Sequence, residues 1–473
     1  MQKILTGFGG VVGTAVAAWA IVASPVALIA VLGVGVVLLL VRRPAWSIYL
    51  ALILSSIALP AALPTTYDVA GLTLHAHEPF LAVAVMYAVV ALPGTRRANL
   101  TALAFAGSVV IALLVGIGFH NPLAKVLYDI RPLLECAAAI VVAARVLGTP
   151  IASRCYRVLT WVLWISALVT LAGATTGLEI GGRTEDASLT SQSGDASAAT
   201  RLLTEATFPA LAVLCAVVAM AIAGRIRVRD SWALTTPALI IVILSFSRNS
   251  ILAAAVAVLF AVLATRTINA FMRGSGIVFS TFAAFALLVL LGPVLAQLPG
   301  GDFINTQVHS YSDRVINGLN SSVQAADPSI QFRSLENAYL WQSFVTSPVF
   351  GHGFGYAYKP SAGTATFLLD YAPYFAHNFY GWLAVKGGVL SVGMLILAIA
   401  SPLWRSLRQP TDRTLALAAA FVAMLAVSFV APVALSTNSA LLFGGLLGAL
   451  VASTDPEIRS DTPAEIAGAL ADR

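Results

Sequence analysis

The pattern that most restricts this chain is a succession of apolar runs, each about 15–25 residues long, joined by connections that are alternately basic and poor in Lys and Arg. As a helix rising 1.5 Å per residue, about 20 residues cross the roughly 30 Å hydrocarbon layer of a membrane. The longer runs therefore span it, and several, the first pair and the pair around Ser247 among them, are short for an upright helix. Lipid offers no partner for exposed backbone groups, so such runs must be helical. About fourteen can be read, near 5–22, 25–41, 46–63, 79–93, 100–119, 131–147, 157–177, 201–223, 233–247, 249–266, 276–297, 378–402, 413–432 and 436–453. Composition agrees: 59% hydrophobic residues, 10% charged and a mean hydropathy of +0.89 lie far from soluble usage. The expected fold is all-α, a polytopic membrane bundle of about 12–14 spans with one large external loop containing short helices.

Orientation follows from the basic residues. Placing the N-terminus in the cytoplasm puts Arg42, Arg43, Arg96, Arg97, Arg145, Arg154, Arg157, Arg225, Arg227, Arg229, Arg266, Arg273, Arg405, Arg408 and Arg413 inside, with both termini cytoplasmic. The net charge of +6 is thereby a topology signal and gives no reason to expect nucleic acid. All six histidines (His75, His77, His120, His309, His352 and His377) fall on the outer side. So do Arg131, Arg183, Arg201, Arg248, Arg314 and Arg333, so chemistry is expected at the extracytoplasmic face. The apolar sequence after Lys3 reads as retained spans and not a signal peptide. Cys136, Cys155 and Cys215 have neither disulfide nor zinc spacing.

The chain divides into an N-terminal transmembrane bundle (1–297), a large extracytoplasmic loop (298–376), C-terminal transmembrane helices (377–453) and a cytoplasmic tail (454–473). Loops as long as 298–376 are usually functional. Within it, Asp327-Pro328 is a helix-start signal, and Phe332, Leu335 and Tyr339 share a face up to Pro348. Arg333 and Glu336, three residues apart, are neighbours on that helix.

The stretch 346–388 carries the strongest chemical signal. Its Gly351-His352-Gly353-Phe354-Gly355 run is only superficially like a phosphate-cradling loop, since it does not join a strand to a helix. His377-Asn378 opens a long apolar helix, which places a residue suited to general-base work at the membrane surface. A plain capping pair is the bland reading. Arg131 with Glu135, and Arg201 with Glu205, lie four apart at the mouths of spans. Each pair can neutralise itself, or its guanidinium can hold a phosphorylated ligand. Arg248 tips a tight hairpin, as an interfacial anchor or a ligand group. Lys386 lies about 13 Å below His377 and needs a partner, with Glu205 and Glu135 as candidates, or must snorkel.

Arg333-x-x-Glu336, Ser347-Pro348-x-x-Gly351-x-Gly353-x-Gly355, His377-Asn378 and Gly387-Gly388, in this order around a large loop, resemble the O-antigen ligase and polysaccharide polymerase superfamily. Ser247-Arg248 and Asp129-x-Arg131-Pro132-Leu133-Leu134 extend the likeness, which covers roughly residues 125–450. The resemblance implies a GT-C-like, metal-independent inverting glycosyltransferase of the bacterial cytoplasmic membrane, without cofactor. Its partners would be a polyprenyl-diphosphate-linked glycan donor (undecaprenyl diphosphate), a glycan or glycolipid acceptor in the cell envelope, and membrane lipids. Carried over by position, His377 is the base and Arg248 and Arg333 hold the diphosphate, with Arg201 a third; Glu336, Arg131, Asn378 and Lys386 complete the substrate-binding set. Lys386 stands where many members have a carboxylate. The rival class is a lipid-linked-glycan flippase or secondary transporter, which would be expected to show internal repeats and midplane polar sites.

Overall fold

A computed structural model describes residues 25–69, 72–182, 188–189, 201–317, 328–361 and 367–455. The segment 5–22, Arg183, Asp327 and most of the tail 454–473 lie outside the described residues. Every apolar run after the first contains a helix: α1 (Pro25–Arg42), α2 (Trp46–Ser56), α3 (Glu78–Ala91), α4 (Arg96–Gly118), α5 (Leu123–Val146), α6 (Pro150–Thr176), α7 (Thr207–Ile222), α8 (Trp232–Leu244), α9 (Asn249–Thr265) and α10 (Ile268–Leu295). Two helices belong to the long loop, α11 (Gly301–Tyr311) and α12 (Pro328–Thr346), followed by α13 (Phe379–Arg408), α14 (Asp412–Val427) and α15 (Thr437–Ser453). Among the described residues, α4, α6, α10 and α13 are long and apolar enough to cross a membrane, and several shorter apolar helices accompany them.

Several boundaries differ from the sequence reading, two of them with consequences for the chain around the loop face. The run 46–63 is helical only to Ser56; Ile57 is extended and the Ala58 amide donates to Ser166 Oγ at 2.9 Å. Pro60 accounts for this, because a proline cannot donate into a helix and disfavours helical geometry in the residue before it. Conversely α5 begins at Leu123, so Asp129, expected just before the span, and Arg131, expected at its first residue, both sit well within the helix. The all-α expectation also omits two small antiparallel ladders, β1 (Thr66–Val69) with β2 (Leu72–His75), and β3 (Ile180–Gly181) with β4 (Ser188–Leu189).

The core is built on close helix pairs, with α15 against α5, α13 against α4, and both α7 and α9 against α14. Gly444 and Gly448, four apart on α15, lie so near the Cys136 and Ile140 carbonyls that a Cβ at either would collide with them. Small residues at this spacing let apolar helices pack through van der Waals contact where no hydrophobic drive separates protein from lipid.

One end of the bundle, the loop face, gathers the start of α13, the ends of α2, α6 and α14, and the start of α15. The Phe379 amide donates to the Ser428 carbonyl at 3.0 Å. His75 Nε2 meets Thr437 Oγ1 at 3.0 Å, and the Ala61 amide donates to the Glu179 carbonyl at 2.9 Å. At the α8–α9 hairpin Phe246 is buried with φ 44°, and its ring lies 6.2 Å from that of Tyr311 on α11. The start of the long loop is thus anchored beside Arg248.

Candidate active site

Asn378 caps α13, its Oδ1 accepting from the Gly381 amide at 3.1 Å. Its Nδ2 donates to Asn337 Oδ1 on α12 at 3.1 Å, so the capping residue also ties the loop helix to the span. The capping reading therefore applies to Asn378, while the His377 side chain remains 30% accessible.

The imidazole is held by Glu336. One carboxylate oxygen, Oε2, accepts from the His377 backbone N–H at 2.8 Å and meets Nδ1 at 3.0 Å. Oε1 accepts from Tyr358 Oη at 3.1 Å and from Lys359 Nζ. Burial alone would push Glu336 up, but its hydrogen bonds and the charges of His377 and Lys359 hold it down at about 2. A carboxylate in this state only accepts, so Nδ1 is the nitrogen that turns a proton towards it, and the neutral form of the imidazole has its lone pair on Nε2. Burial, with the neighbouring Glu336 charge, pushes the Tyr358 phenol up, which keeps it a donor. The Phe332 and Phe375 rings present near-perpendicular contacts to the imidazole, at 6.2 and 5.6 Å.

Arg333 shares this surface. It neighbours Phe332 in sequence, and helical spacing sets it beside Glu336 and Asn337, both of which touch the His377-Asn378 pair. Arg201 and the hairpin that carries Arg248 come together elsewhere on the loop face. Arg201 Nε donates to the Ser245 carbonyl at 3.2 Å, and Leu202 N to the Leu244 carbonyl at 3.0 Å, while Arg248 occupies the first residue before α9. The segment before α7 is thereby laced to the hairpin tip. Because α7 and α9 pack on α14, whose end receives the Phe379 amide, the two arginine groups open on the same end of the bundle.

Arg131 is occupied by protein carboxylates. Its guanidinium forms a two-pronged pair with Glu78, Nη2 to Oε2 at 2.7 Å and Nε to Oε1, and approaches Glu135 at 3.9 Å. Glu135 in turn meets His77 Nε2 at 3.0 Å. The i,i+4 pair foreseen in the sequence is present, but Glu78 from a different helix is the principal partner.

Lys386 neither snorkels nor pairs with Glu205 or Glu135. Its ammonium lies 2.6 Å from Asp129 Oδ2 and donates to the Tyr356 carbonyl at 2.7 Å, with the residue fully buried. Glu135 is engaged with His77 and Arg131, which leaves Asp129 as the α5 carboxylate for α13. Asp129 Oδ2 also accepts from the Gly355 amide at 2.7 Å. The pair therefore clamps the glycine-rich run from both sides.

That run threads between helices. At Gly388 (φ 62°, ψ −168°) α13 loses helical geometry, which exposes carbonyls before the break and amides after it. The chain from 348 to 353 fills them: His352 N donates to Val385 O at 2.8 Å, Gly353 N to Lys386 O at 2.8 Å, and Val389 N to Pro348 O at 2.9 Å. A Cβ on Gly353 would collide with the Gly116 backbone on α4. Its amides are thus committed to protein carbonyls and carboxylate, in agreement with the doubt that it cradles phosphate. Tyr358 and Lys359, which follow directly, are the site residues that sequence reasoning missed. Two polar side chains just beyond a conformationally special glycine run were the available signal.

Residues 232–398 match a family described as O-antigen ligase. The matched stretch begins with α8 and takes in Arg248, the long loop, Arg333, Glu336, His377 and the broken part of α13. The resemblance read from the sequence is thereby supported by an independent comparison, over a shorter stretch than 125–450. Comparison with curated proteins yields no match.

Proposed function

We propose that this integral membrane protein is a glycosyltransferase of the ligase or polymerase type. It moves a glycan from a polyprenyl-diphosphate donor to a cell-envelope acceptor at the extracytoplasmic face, without a metal. The single observation carrying this reading is the Glu336–His377 contact, made through Nδ1, so that Nε2 is the proton acceptor of the neutral imidazole at the loop face. In this reaction an acceptor hydroxyl attacks the anomeric carbon as the bond from that carbon to the diphosphate oxygen breaks, inverting the centre. Nε2 takes the hydroxyl proton, and the diphosphate leaves with its electron pair. Negative charge grows on the leaving group in the transition state, so Arg248 and Arg333, with Arg201 beside the hairpin, stabilise the transition state more than the ground state. Donor chemistry of this kind also suits a compartment without ATP or nucleotide sugars, because the activated sugar arrives on a lipid.

Transport is the second reading, favoured by the break in α13, since transporters bind substrates at broken helices. Here the groups freed by the break bond to 348–353, which makes that segment a plug.

The test is transfer by the purified protein in detergent with EDTA, using an undecaprenyl-diphosphate glycan and extracted envelope acceptors, for wild type and His377→Ala. Product from wild type alone supports the proposal. Full turnover by the variant refutes the base assignment while leaving the enzyme class. Absence of product from both, with donor crossing sealed vesicles that contain the protein, favours transport.

A further inference from the structure

The end of the bundle opposite the loop face carries a basic pocket that the transferase reading does not use. Several cations there are already occupied. Arg145 Nη1 donates to the Val89 and Leu92 carbonyls at the end of α3, at 3.2 and 3.1 Å. Arg225 pairs with Asp412 at 3.3 Å, and Arg97 approaches Asp455 at 3.8 Å. Arg43 and Arg154 differ, forming no ion pair with a carboxylate among the described residues. They line a cavity of about 400 Å³ with Pro44, Ala45, Trp46, Tyr49 and Tyr87. Tyr49 is 5% exposed, and the Arg154 guanidinium lies beside its hydroxyl. A buried hydroxyl beside a guanidinium, which can only donate, still has its own proton to give, so a ligand oxygen that accepted it would be favoured.

Beside this pocket runs a second, apolar cavity of about 450 Å³ along the interior of the bundle. The two share α2 and α6 as walls: Ile48 and Cys155 line the apolar space, and their sequence neighbours Tyr49 and Arg154 line the basic one. Its lining is almost wholly aliphatic, and neither cavity has a carboxylate in its wall.

We infer that Arg43, Arg154 and Tyr49 bind the phosphate of an anionic phospholipid from the leaflet opposite the loop face, with an acyl chain lying in the adjoining apolar cavity. Arginine matches phosphate oxygens in a bidentate manner, aromatic residues such as Trp46 favour the headgroup level, and basic pockets between membrane helices suit anionic headgroups. The inference stands independently of the transferase reading, since no residue proposed for transfer lines either cavity.

The experiment follows thermal unfolding of the delipidated full-length protein in detergent during titration with phosphatidylglycerol, phosphatidylcholine of the same chains, or glycerol phosphate. Phosphatidylglycerol is expected to raise the midpoint saturably and the other two to leave it unchanged. Arg43→Gln/Arg154→Gln should weaken half-saturation roughly thirty-fold, given the attraction of two basic residues. Arg157→Gln, on the same helix but lining neither cavity, should match wild type. Equal effects of phosphatidylcholine, of glycerol phosphate, or on the double variant would each overturn the inference. If the double variant does not fold, Tyr49→Phe replaces it, with a several-fold weakening expected and an unchanged titration overturning the assignment.

Discussion

Lys386 Nζ and Asp129 Oδ2 stand 2.6 Å apart, on helices far separated in sequence, and both residues are buried. Each charge makes the other tolerable, so removing one partner costs more than removing both. Lys386→Met is expected to destabilise by about 3–5 kcal/mol, and Lys386→Met/Asp129→Asn by appreciably less. Thermal unfolding in detergent measures the cycle; a double variant as unstable as the sum of the singles would contradict it.

Glu336 holds both the backbone and the ring of His377. Replacing it with Gln keeps the size but removes the charge and allows an amide N–H to face Nδ1, which favours the wrong tautomer. Transfer should fall by about 10²–10⁴-fold in kcat with little change in KM, following the behaviour of carboxylates that orient a histidine base. Equal activity of Glu336→Gln and wild type would remove Glu336 from the mechanism.

Acid should act through the same carboxylate. Its folded-state pKa of about 2 lies below the ordinary 4.5, so its contribution is complete above about 4.5 and is lost as pH falls through about 2. The stability advantage of wild type over Glu336→Gln is therefore expected to shrink across that window. An advantage that stays constant between pH 5 and pH 2 would show that the carboxylate is not held down.

Arg248 and Arg333 are proposed to meet phosphate oxygens as planar forks, so lysine is a poor substitute at either position. Arg248→Lys and Arg333→Lys should each reduce kcat/KM by about 10²–10³-fold, the range found when one donor to a developing charge is lost. Retention of full activity by both would argue that a positive charge alone suffices.

Gly353 has φ 79° and no room for a Cβ against Gly116. Gly353→Ala is expected to lower the unfolding temperature and to reduce transfer even though residue 353 does not touch His377, because the chain leading to Tyr358 and Lys359 must shift. Gly393→Ala, in the same helix as Lys386 with open space around it, should be neutral by both measures.

The helices were legible because lipid leaves an apolar run few alternatives, and they were misplaced where local chemistry intervened, as at Pro60. The β1–β2 hairpin lay hidden in a connection between runs, where alternation over Thr66–Val69 and Leu72–His75 was too brief to stand out. His377, Glu336 and Arg333 were legible as a motif. The contact between Glu336 and His377 was not, because helical spacing made Glu336 a neighbour of Arg333 but said nothing of the histidine forty-one residues on. The same limit hid Asp129 as the partner of Lys386, a contact across 257 residues of sequence.

The break at Gly388 also bears on the order in which the protein is built. The carbonyls of Val385 and Lys386 and the amide of Val389 are satisfied by residues 348–353, which in turn require the Gly116 backbone of α4 as a floor. A nascent chain can satisfy these groups only after α4 is in place and α13 has emerged, so the segment that delivers Tyr358 and Lys359 to Glu336 docks late. The contacts that hold the histidine thus form only once α4, α12, the 348–359 chain and α13 are all present, and chains that stop short of α13 lack them.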